Sequence, residues 1–219
     1  NKAQQNQYLS DSFIKTNGPT KVDTFFKYGT RLGVSIALPY LFVSTRPFTS
    51  GFITNSDPNN PTYIRDDNGE KIIEYFAMRL QTDLALTANQ SGSYYALALL
   101  SDDGAVVSNR TTGELLVDND YTHPTRLGCG TKAIYLKPGE KLPLRIDYYQ
   151  GPRQHIALVL LWKKLSSPNF AADPLCGHEG NSEFFGSNYK DFSNGSRYGQ
   201  LMERGWEVVP TTNLNTVIN

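Results

Sequence analysis

The chain has 219 residues and a mass of 24.5 kDa, enough for one large domain or one domain with extensions. A chain of this length can hold a hydrophobic core without a disulfide or a metal ion. Lys and Arg together number 21, as do Asp and Glu, so no basic excess is available for a phosphate backbone and we expect no nucleic-acid partner. No apolar run approaches the ~18 residues of a membrane helix, and we expect no membrane insertion.

The N-terminal part, residues 1–44, reads as a polar arm followed by short leading strands. Residues 1–23 are polar and aperiodic, which is typical of a linker and suits attachment to a stalk or fibre. Residues 25–28 and 34–38 are short apolar pieces. Because the chain starts at Asn1 and shows no signal-peptide pattern, we expect it to be part of a longer or processed protein.

The middle of the chain, residues 45–165, predicts an antiparallel β-sandwich. The eleven Phe, thirteen Tyr and eighteen Gly favour strands and turns over helices. Strands with alternating apolar residues recur every ~10 to 15 residues, without a helical period, which is typical of an all-β sandwich. The longest of them is expected to break or bend around Thr82. The predicted strands cover residues 76–86, 94–100, 104–107, 115–117, 134–136, 142–149 and 156–162.

One of these strands is apolar on both faces and runs into two adjacent acids. Residues 94–100 are uncharged and mostly apolar, which predicts a strand between two layers. Asp102 and Asp103 follow where the strand leaves the core, and Gly104 comes next. Neighbouring strand residues point to opposite faces, so the two carboxylates can grip one ion only if a cis peptide turns them to the same side. The alternative is a polar turn that closes a hairpin.

Two cysteines, Cys129 and Cys176, lie in glycine-rich loops. In an exported protein we expect them to form a disulfide that ties the C-terminal extension, residues 166–219, to the main body. In the cytosol they would be two free thiols. A zinc site completed by His178 is a poor alternative, because no Cys-x-x-Cys spacing is present.

The C-terminal extension is rich in loops. It carries one weak apolar patch, formed by Met202, Trp206 and Val208. We expect this patch to pack on the edge or rim of the sandwich.

Several ordered motifs in residues 45–165 resemble the PA-fourteen domain family, named for anthrax protective antigen. They include Gly-Ser-Tyr-Tyr at 92–95, Leu-Ser-Asp-Asp-Gly-Ala at 100–105 and Lys-Pro-Gly-Glu at 137–140. Residues 116–120 with His123, then residues 144–149 and 160–162, complete the match. The resemblance implies the β-sandwich of adhesins, flocculins, glycosidases and toxins, in a secreted or cell-surface protein.

The lectin members of that family hold calcium on an Asp-cis-Asp pair, which corresponds here to Asp102 and Asp103. A second loop adds a side-chain amide oxygen and main-chain carbonyls. The resemblance therefore implies Gln150 and the carbonyls of Pro152 and Gln154 as further ligands. Gln150 stands where flocculin-like members carry Asn, so its arm is one methylene longer, although its oxygen is chemically equivalent.

The chemistry of calcium agrees with this ligand set. Calcium takes about 6–8 oxygens, so two carboxylates, one amide and two carbonyls leave room for two sugar hydroxyls. Each flanking residue has the alternative of being an ordinary exposed loop residue. At Asp118–Asn119–Asp120 we favour an Asx turn over a calcium role. The residues expected to contact the sugar are Asp102, Asp103, Tyr121, His123, Tyr149, Arg153, Gln154 and His155.

We therefore expect a non-enzymatic, calcium-dependent carbohydrate-binding domain of an adhesin, with cell-surface glycans or polysaccharides as partners. The sequence contains no hydrolase elbow, phosphate loop, metalloprotease motif or dinucleotide fingerprint. Two alternatives stay open. The sandwich is a structural or assembly domain of a surface protein, which the glutamine at Gln150 supports, or it is an accessory domain of a glycoside hydrolase.

Overall fold

A computed structural model describes residues 21–33, 35–38, 41–55, 59–152, 154–185 and 196–217. These residues form two antiparallel β-sheets and two short α-helices, so the predicted all-β sandwich is confirmed. The helices are α1 (Val22–Tyr28) and α2 (Arg197–Glu203), with 3-10 turns at Phe48–Ser50 and Thr211–Asn213. The strands are β1 (Phe42–Pro47), β2 (Phe76–Ala85), β3 (Ser93–Asp102), β4 (Ala105–Asn109), β5 (Leu115–Asn119), β6 (Arg126–Cys129), β7 (Ile134–Leu136), β8 (Lys141–Gln150), β9 (His155–Leu165), β10 (Trp206–Val208) and β11 (Leu214–Thr216).

The two sheets place the aspartate pair beside the loop that joins β8 to β9. The first sheet has the order β1-β9-β3-β6, with β10 paired to β9 and β7 paired to β3. The second has the order β11-β2-β8-β4-β5. Asp102, the last residue of β3, pairs with Ala157 in β9, while Gln150, the last residue of β8, pairs with Phe76. A hydrogen bond of 2.7 Å from the Tyr148 hydroxyl to the Asp102 carbonyl joins these strand ends across the sandwich.

The first sheet is buried on both faces. In β3, Leu97 and Leu99 face the core between the sheets, whereas Ala96, Ala98 and Leu100 face a second apolar cluster on the outer side. Strand β9 repeats this alternation. A strand covered on both sides needs apolar residues at every position, which confirms the prediction for residues 94–100.

The second cluster is covered by the C-terminal extension. Leu175, Phe184, Phe185, Leu201 and Trp206 pack against the outer face of the first sheet, and Met202 and Val208 are partly buried beside them. Trp206 and Val208 belong to β10, which pairs with β9 at the edge of the sheet, so the patch lies at the expected edge, and the extension also covers the outer face. Burying that face removes from water the apolar residues that β3 and β9 present outward.

A disulfide joins Cys129 in β6 to Cys176 in the extension, the pairing expected of an exported protein. Both thiols are used in this bond, so neither is available to zinc. No cysteine in the chain is free. The described helices include none that is long and apolar enough to cross a membrane.

Asp173 anchors the extension through a network of hydrogen bonds. Its carboxylate accepts two bonds of 2.7 Å from the Arg204 guanidinium and one of 3.0 Å from Trp206 Nε1. Burial alone would raise the pKa of Asp173, but the bonds from Arg204, the Leu175 amide and Trp206 outweigh it and lower the pKa. The carboxylate is therefore held in its charged form, in the place where the extension begins to cover the sheet.

We expect Asp173→Ala to lower the free energy of unfolding by about 2 kcal/mol, because hydrogen bonds to a buried charged group are worth about 1.5–3 kcal/mol. Urea denaturation measures this change. Glu140→Ala is the matched control, since Glu140 forms an exposed ion pair with Lys137 that is worth less than ~1 kcal/mol. Equal stability of the two variants would show that this network does not hold the extension.

The expected leading strand at residues 25–28 is wrong, because these residues belong to α1. Val22 and Phe25, one helical turn apart, are buried against the outer face of the second sheet. The Phe25 ring stacks on Tyr149 with centroids 4.7 Å apart. Of the second expected piece, Val34 lies outside the described residues, and residues 35–38 form no regular element.

The expected break around Thr82 is also wrong. Strand β2 pairs with β8 without interruption from Phe76 to Ala85. Thr82 interrupts the apolar pattern because its hydroxyl donates a 2.9 Å hydrogen bond to the Asn215 carbonyl in β11. The polar residue therefore marks the contact between two strands of the sheet.

Candidate metal centre

Asp102 and Asp103 lie side by side where β3 ends, and the peptide bond between them is cis. Both are almost fully buried, with 5% and 4% of their surface exposed. Gly104 follows in a space that admits no side chain, because an added Cβ would lie 2.4 Å from the Tyr149 ring. The chain can therefore turn from β3 into β4 at this point only with glycine.

The two carboxylates are held by different parts of the fold. Asp103 accepts hydrogen bonds from two main-chain amides, that of Gly151 at 2.8 Å and that of His123 at 3.2 Å. Asp102 accepts a long bond of 3.5 Å from the Thr125 hydroxyl. In the described ranges no Lys, Arg or His side chain forms an ion pair with either carboxylate.

Burial changes the acidity of both groups, since none of the described residues supplies a countercharge. Burial, together with the neighbouring charge of Asp103, raises the pKa of Asp102 to about 9. Burial raises the pKa of Asp103 to about 7, although the amides of Gly151 and His123 oppose the shift. A buried carboxylate pair without a cation is costly when both members are ionised, so this place favours a bound positive ion.

The amide of Gln150 lies in the same place, and its hydrogen bonds cannot all be satisfied by protons. The Tyr148 hydroxyl lies 2.7 Å from both the Asp102 carbonyl and Gln150 Oε1, but a phenol has one proton to donate. On its other side, Gln150 Nε2 faces the carbonyls of His155 at 2.9 Å and Pro152 at 3.4 Å.

Turning the Gln150 amide by 180° supplies a donor to Tyr148 but leaves another oxygen–oxygen contact without a proton. Nε2 then donates to Tyr148, and Oε1 faces the carbonyls of Pro152 and His155. In either orientation one oxygen–oxygen contact lacks a hydrogen. Only the turned amide would bring three neutral oxygens together, those of Gln150, Pro152 and His155, since in the orientation described here Nε2 faces the two carbonyls. Amide and carbonyl oxygens are calcium ligands.

The structure brings only one of the two predicted loop carbonyls to the Gln150 amide. The Pro152 carbonyl lies at the Gln150 amide. The Gln154 carbonyl instead accepts a bond of 3.0 Å from the main-chain amide of Phe48, and the His155 carbonyl takes the nearer position to Gln150. Arg153 lies outside the described residues.

Besides the aspartate pair, two of the residues expected to contact a sugar are buried. Tyr149 is fully buried, with its ring on Phe25 and its hydroxyl 2.9 Å from the Thr122 hydroxyl, so it offers no aromatic face to a ligand. His123 is 6% exposed, and its ring nitrogens lie at the carbonyls of Asn119 and Pro124. Burial lowers the pKa of His123. These findings correct the expectation for both side chains.

Tyr121 and His155 remain accessible. Tyr121 is 40% exposed, and the Lys21 ammonium lies 4.7 Å from its ring centroid. His155 is partly buried at the start of β9, and burial lowers its pKa. The expected Asx turn is present, because Asp118 Oδ1 accepts a bond of 3.1 Å from the Asp120 amide. Asp120 itself accepts from the Val22 amide at 2.9 Å, at the start of α1.

Sequence reasoning missed three residues around the pair: Tyr148, Thr45 and Thr125. The inward position of Tyr148 follows from the alternation of β8, but nothing in the sequence indicates that its hydroxyl reaches Asp102. Thr45 and Thr125 come from distant parts of the chain and meet with their hydroxyl oxygens 2.7 Å apart. Among the described residues, no group of three or more His, Cys, Asp or Glu side chains could hold a metal ion, so the oxygen set has two carboxylates and neutral ligands.

No family model matches the chain, and no curated protein gives a sequence match. Among solved structures, an anti-sigma factor domain-containing protein is similar to this chain, with a TM-score of 0.47 and 15% sequence identity. The similarity covers 83% of this chain and 42% of that protein, so this chain spans less than half of its length. A likeness at this level carries no functional implication.

Proposed function

We propose that this chain is a calcium-dependent carbohydrate-binding domain of a secreted or cell-surface adhesin. The observation that supports it most directly is the pair Asp102 and Asp103, two adjacent buried carboxylates without an ion pair in the described ranges. Calcium bound between them would compensate their charge. With its amide turned by 180°, Gln150 would add its oxygen to the carbonyls of Pro152 and His155 and so complete the protein part of the ligand shell.

A sugar would bind by placing two neighbouring hydroxyls on the remaining positions of the ion, in place of water. Tyr121 is an accessible aromatic residue. It lies near the pair, because it follows Asp120, whose carboxylate lies at Gly104. Its ring could cover the C–H face of a sugar. Affinity for one sugar would be weak, so several copies on one assembly would raise the avidity.

A glycan array with calcium and with a chelator tests this function. We expect binding to at least one class of glycan in calcium, and loss of that binding on addition of chelator. Asp102→Asn should abolish binding, whereas Asp118→Asn, which retains the Asx turn, should leave it unchanged. Binding that persists in chelator, or in Asp102→Asn, would contradict the metal-bridged contact.

A second function is favoured by the depth of the site. Both carboxylates are at most 5% exposed, and Tyr149 is buried, so an ion there could hold the ends of the two sheets together without touching a ligand. The domain would then be a structural or assembly module of a surface protein. Calcium binding in calorimetry, with no signal on the array, is the result that this alternative predicts.

A further inference from the structure

The C-terminal extension runs beside β6 from the disulfide to the aspartate pair. Next to the Cys129–Cys176 bond, the Gly177 amide donates to the Leu127 carbonyl at 2.8 Å, and the Leu127 amide donates to the His178 carbonyl at 3.1 Å. One step further, Arg126 forms an isolated antiparallel bridge with Glu179. The segment 176–181 therefore forms an additional, irregular strand on the free edge of β6.

The pairing of segment 176–181 with the main body ends at Thr125. The Thr125 carbonyl accepts a bond of 2.9 Å from the Gly180 amide, and its own amide donates to Asn181 Oδ1 at 3.2 Å. Both main-chain groups of Thr125 are thus fixed by the extension. The side chain is fully buried, with its hydroxyl between Thr45 and Asp102.

When Asp102 is ionised, as a calcium ligand is, the hydroxyl protons of Thr45 and Thr125 have one consistent arrangement. Since Thr125 donates to Asp102 Oδ2 at 3.5 Å, the 2.7 Å contact with Thr45 must be a bond that Thr45 donates. An ionised Asp102 would strengthen the bond from Thr125, because hydrogen bonds to a charged group are shorter and stronger than neutral ones. The bonds from Thr45 to Thr125 and from Thr125 to Asp102 therefore stabilise the ionised form of Asp102, which is the form that binds a metal ion.

We infer that Thr125 is a positioning residue of the cation site and that segment 176–181 is a structural part of that site. The extension holds the Thr125 main chain, and the Thr125 hydroxyl orients the Asp102 carboxylate toward the ion. This inference rests on the proposed calcium binding. It goes further by assigning a role to a part of the chain that supplies none of the proposed ligands.

Calorimetric titration of the whole chain with calcium chloride tests the inference. We expect Thr125→Val to weaken calcium binding about tenfold, since it removes the hydroxyl that donates to the Asp102 carboxylate. Thr125→Ser keeps the hydroxyl and loses the buried methyl, so it should bind within about twofold of the wild type even if it melts at a lower temperature. Affinity should therefore follow the hydroxyl and not the stability.

Variants of the extension test its contribution independently of Thr125. Asn181→Ala should weaken calcium binding severalfold, and so should reduction of the disulfide. Asn169→Ala, an exposed position on the same extension, should have no effect. If Thr125→Val binds calcium as tightly as the wild type, this inference is wrong but the proposed function stands. The same holds if Thr125→Val and Thr125→Ser lose equal calcium affinity. Absence of calcium binding by the wild type would overturn both the proposed function and this inference.

Discussion

We expect Asp102→Asn and Asp103→Asn each to weaken calcium binding at least a hundredfold, the largest effect of any single substitution in the chain. Asparagine keeps the shape of each side chain and removes one negative charge. Because both carboxylates are buried, the attraction between each of them and a bound ion is screened little by water. Isothermal titration calorimetry with calcium chloride measures the loss.

The same substitutions have a second expected effect, on the melting temperature. Calcium at about a hundred times its dissociation constant stabilises the wild type by ~2.7 kcal/mol, which raises the melting temperature by roughly 5–10 °C in a domain of this size. The asparagine variants should not respond to calcium. Without calcium they should be at least as stable as the wild type, since each removes a buried carboxylate whose ionisation is costly.

Asp118→Asn is the matched control, since Asp118 is an exposed acid near the end of β5. It should bind calcium as the wild type does. Loss of affinity in Asp118→Asn and Asp102→Asn alike would place the ion at the Asp118–Asp120 turn. If calcium does not change the melting temperature of the wild type, the proposed metal site is wrong.

The strands around the aspartate pair could be predicted from the sequence because each has a clear period. Alternation identified β8 and β9, and the continuous apolar run of β3 indicated burial on both faces. Strand β6 was missed, because Gly128 and Cys129 are typical of a loop. The glycine has a packing cause that only the fold shows, since a Cβ on Gly128 would lie 2.4 Å from Asn119.

The site was predictable where neighbouring residues form it and not where distant segments meet. Asp102 and Asp103 are adjacent, so their pairing follows from local sequence. The burial of Tyr149 depends on α1, and a seven-residue helix gives too weak a pattern to predict. The contact of Thr45 with Thr125 joins residues 80 positions apart, and no spacing rule relates them.

The second large effect concerns pH. Without calcium, we expect the free energy of unfolding to fall as the pH rises from about 4 to about 9. In the unfolded chain both carboxyls ionise near pH 3.8, whereas in the folded chain burial raises the pKa of Asp102 to about 9 and of Asp103 to about 7. The folded state therefore binds more protons in this range, so stability is greatest at the acidic end and is lost as the pH rises.

Saturating calcium should remove this fall, because a bound ion keeps both carboxylates ionised in the folded state as well. The stabilisation by calcium should then be small near pH 5 and grow as the pH rises. Thermal unfolding at a series of pH values, in chelator and in calcium, measures both curves. A difference between the curves that stays constant with pH would contradict competition between protons and the ion.

The double variant Asp102→Asn with Asp103→Asn isolates the contribution of the pair from other titrating groups. His123 acts in the opposite direction, since burial lowers its pKa and stability is lost as the pH falls below about 6.5. That contribution is present in the wild type and in the double variant, so it cancels when the two are compared. Since one pKa unit corresponds to 1.36 kcal/mol, the shift of Asp103 alone predicts a difference of the order of 4 kcal/mol between the acidic and alkaline ends. A double variant whose stability falls with pH as steeply as that of the wild type would show that the buried pair is not the source of the dependence.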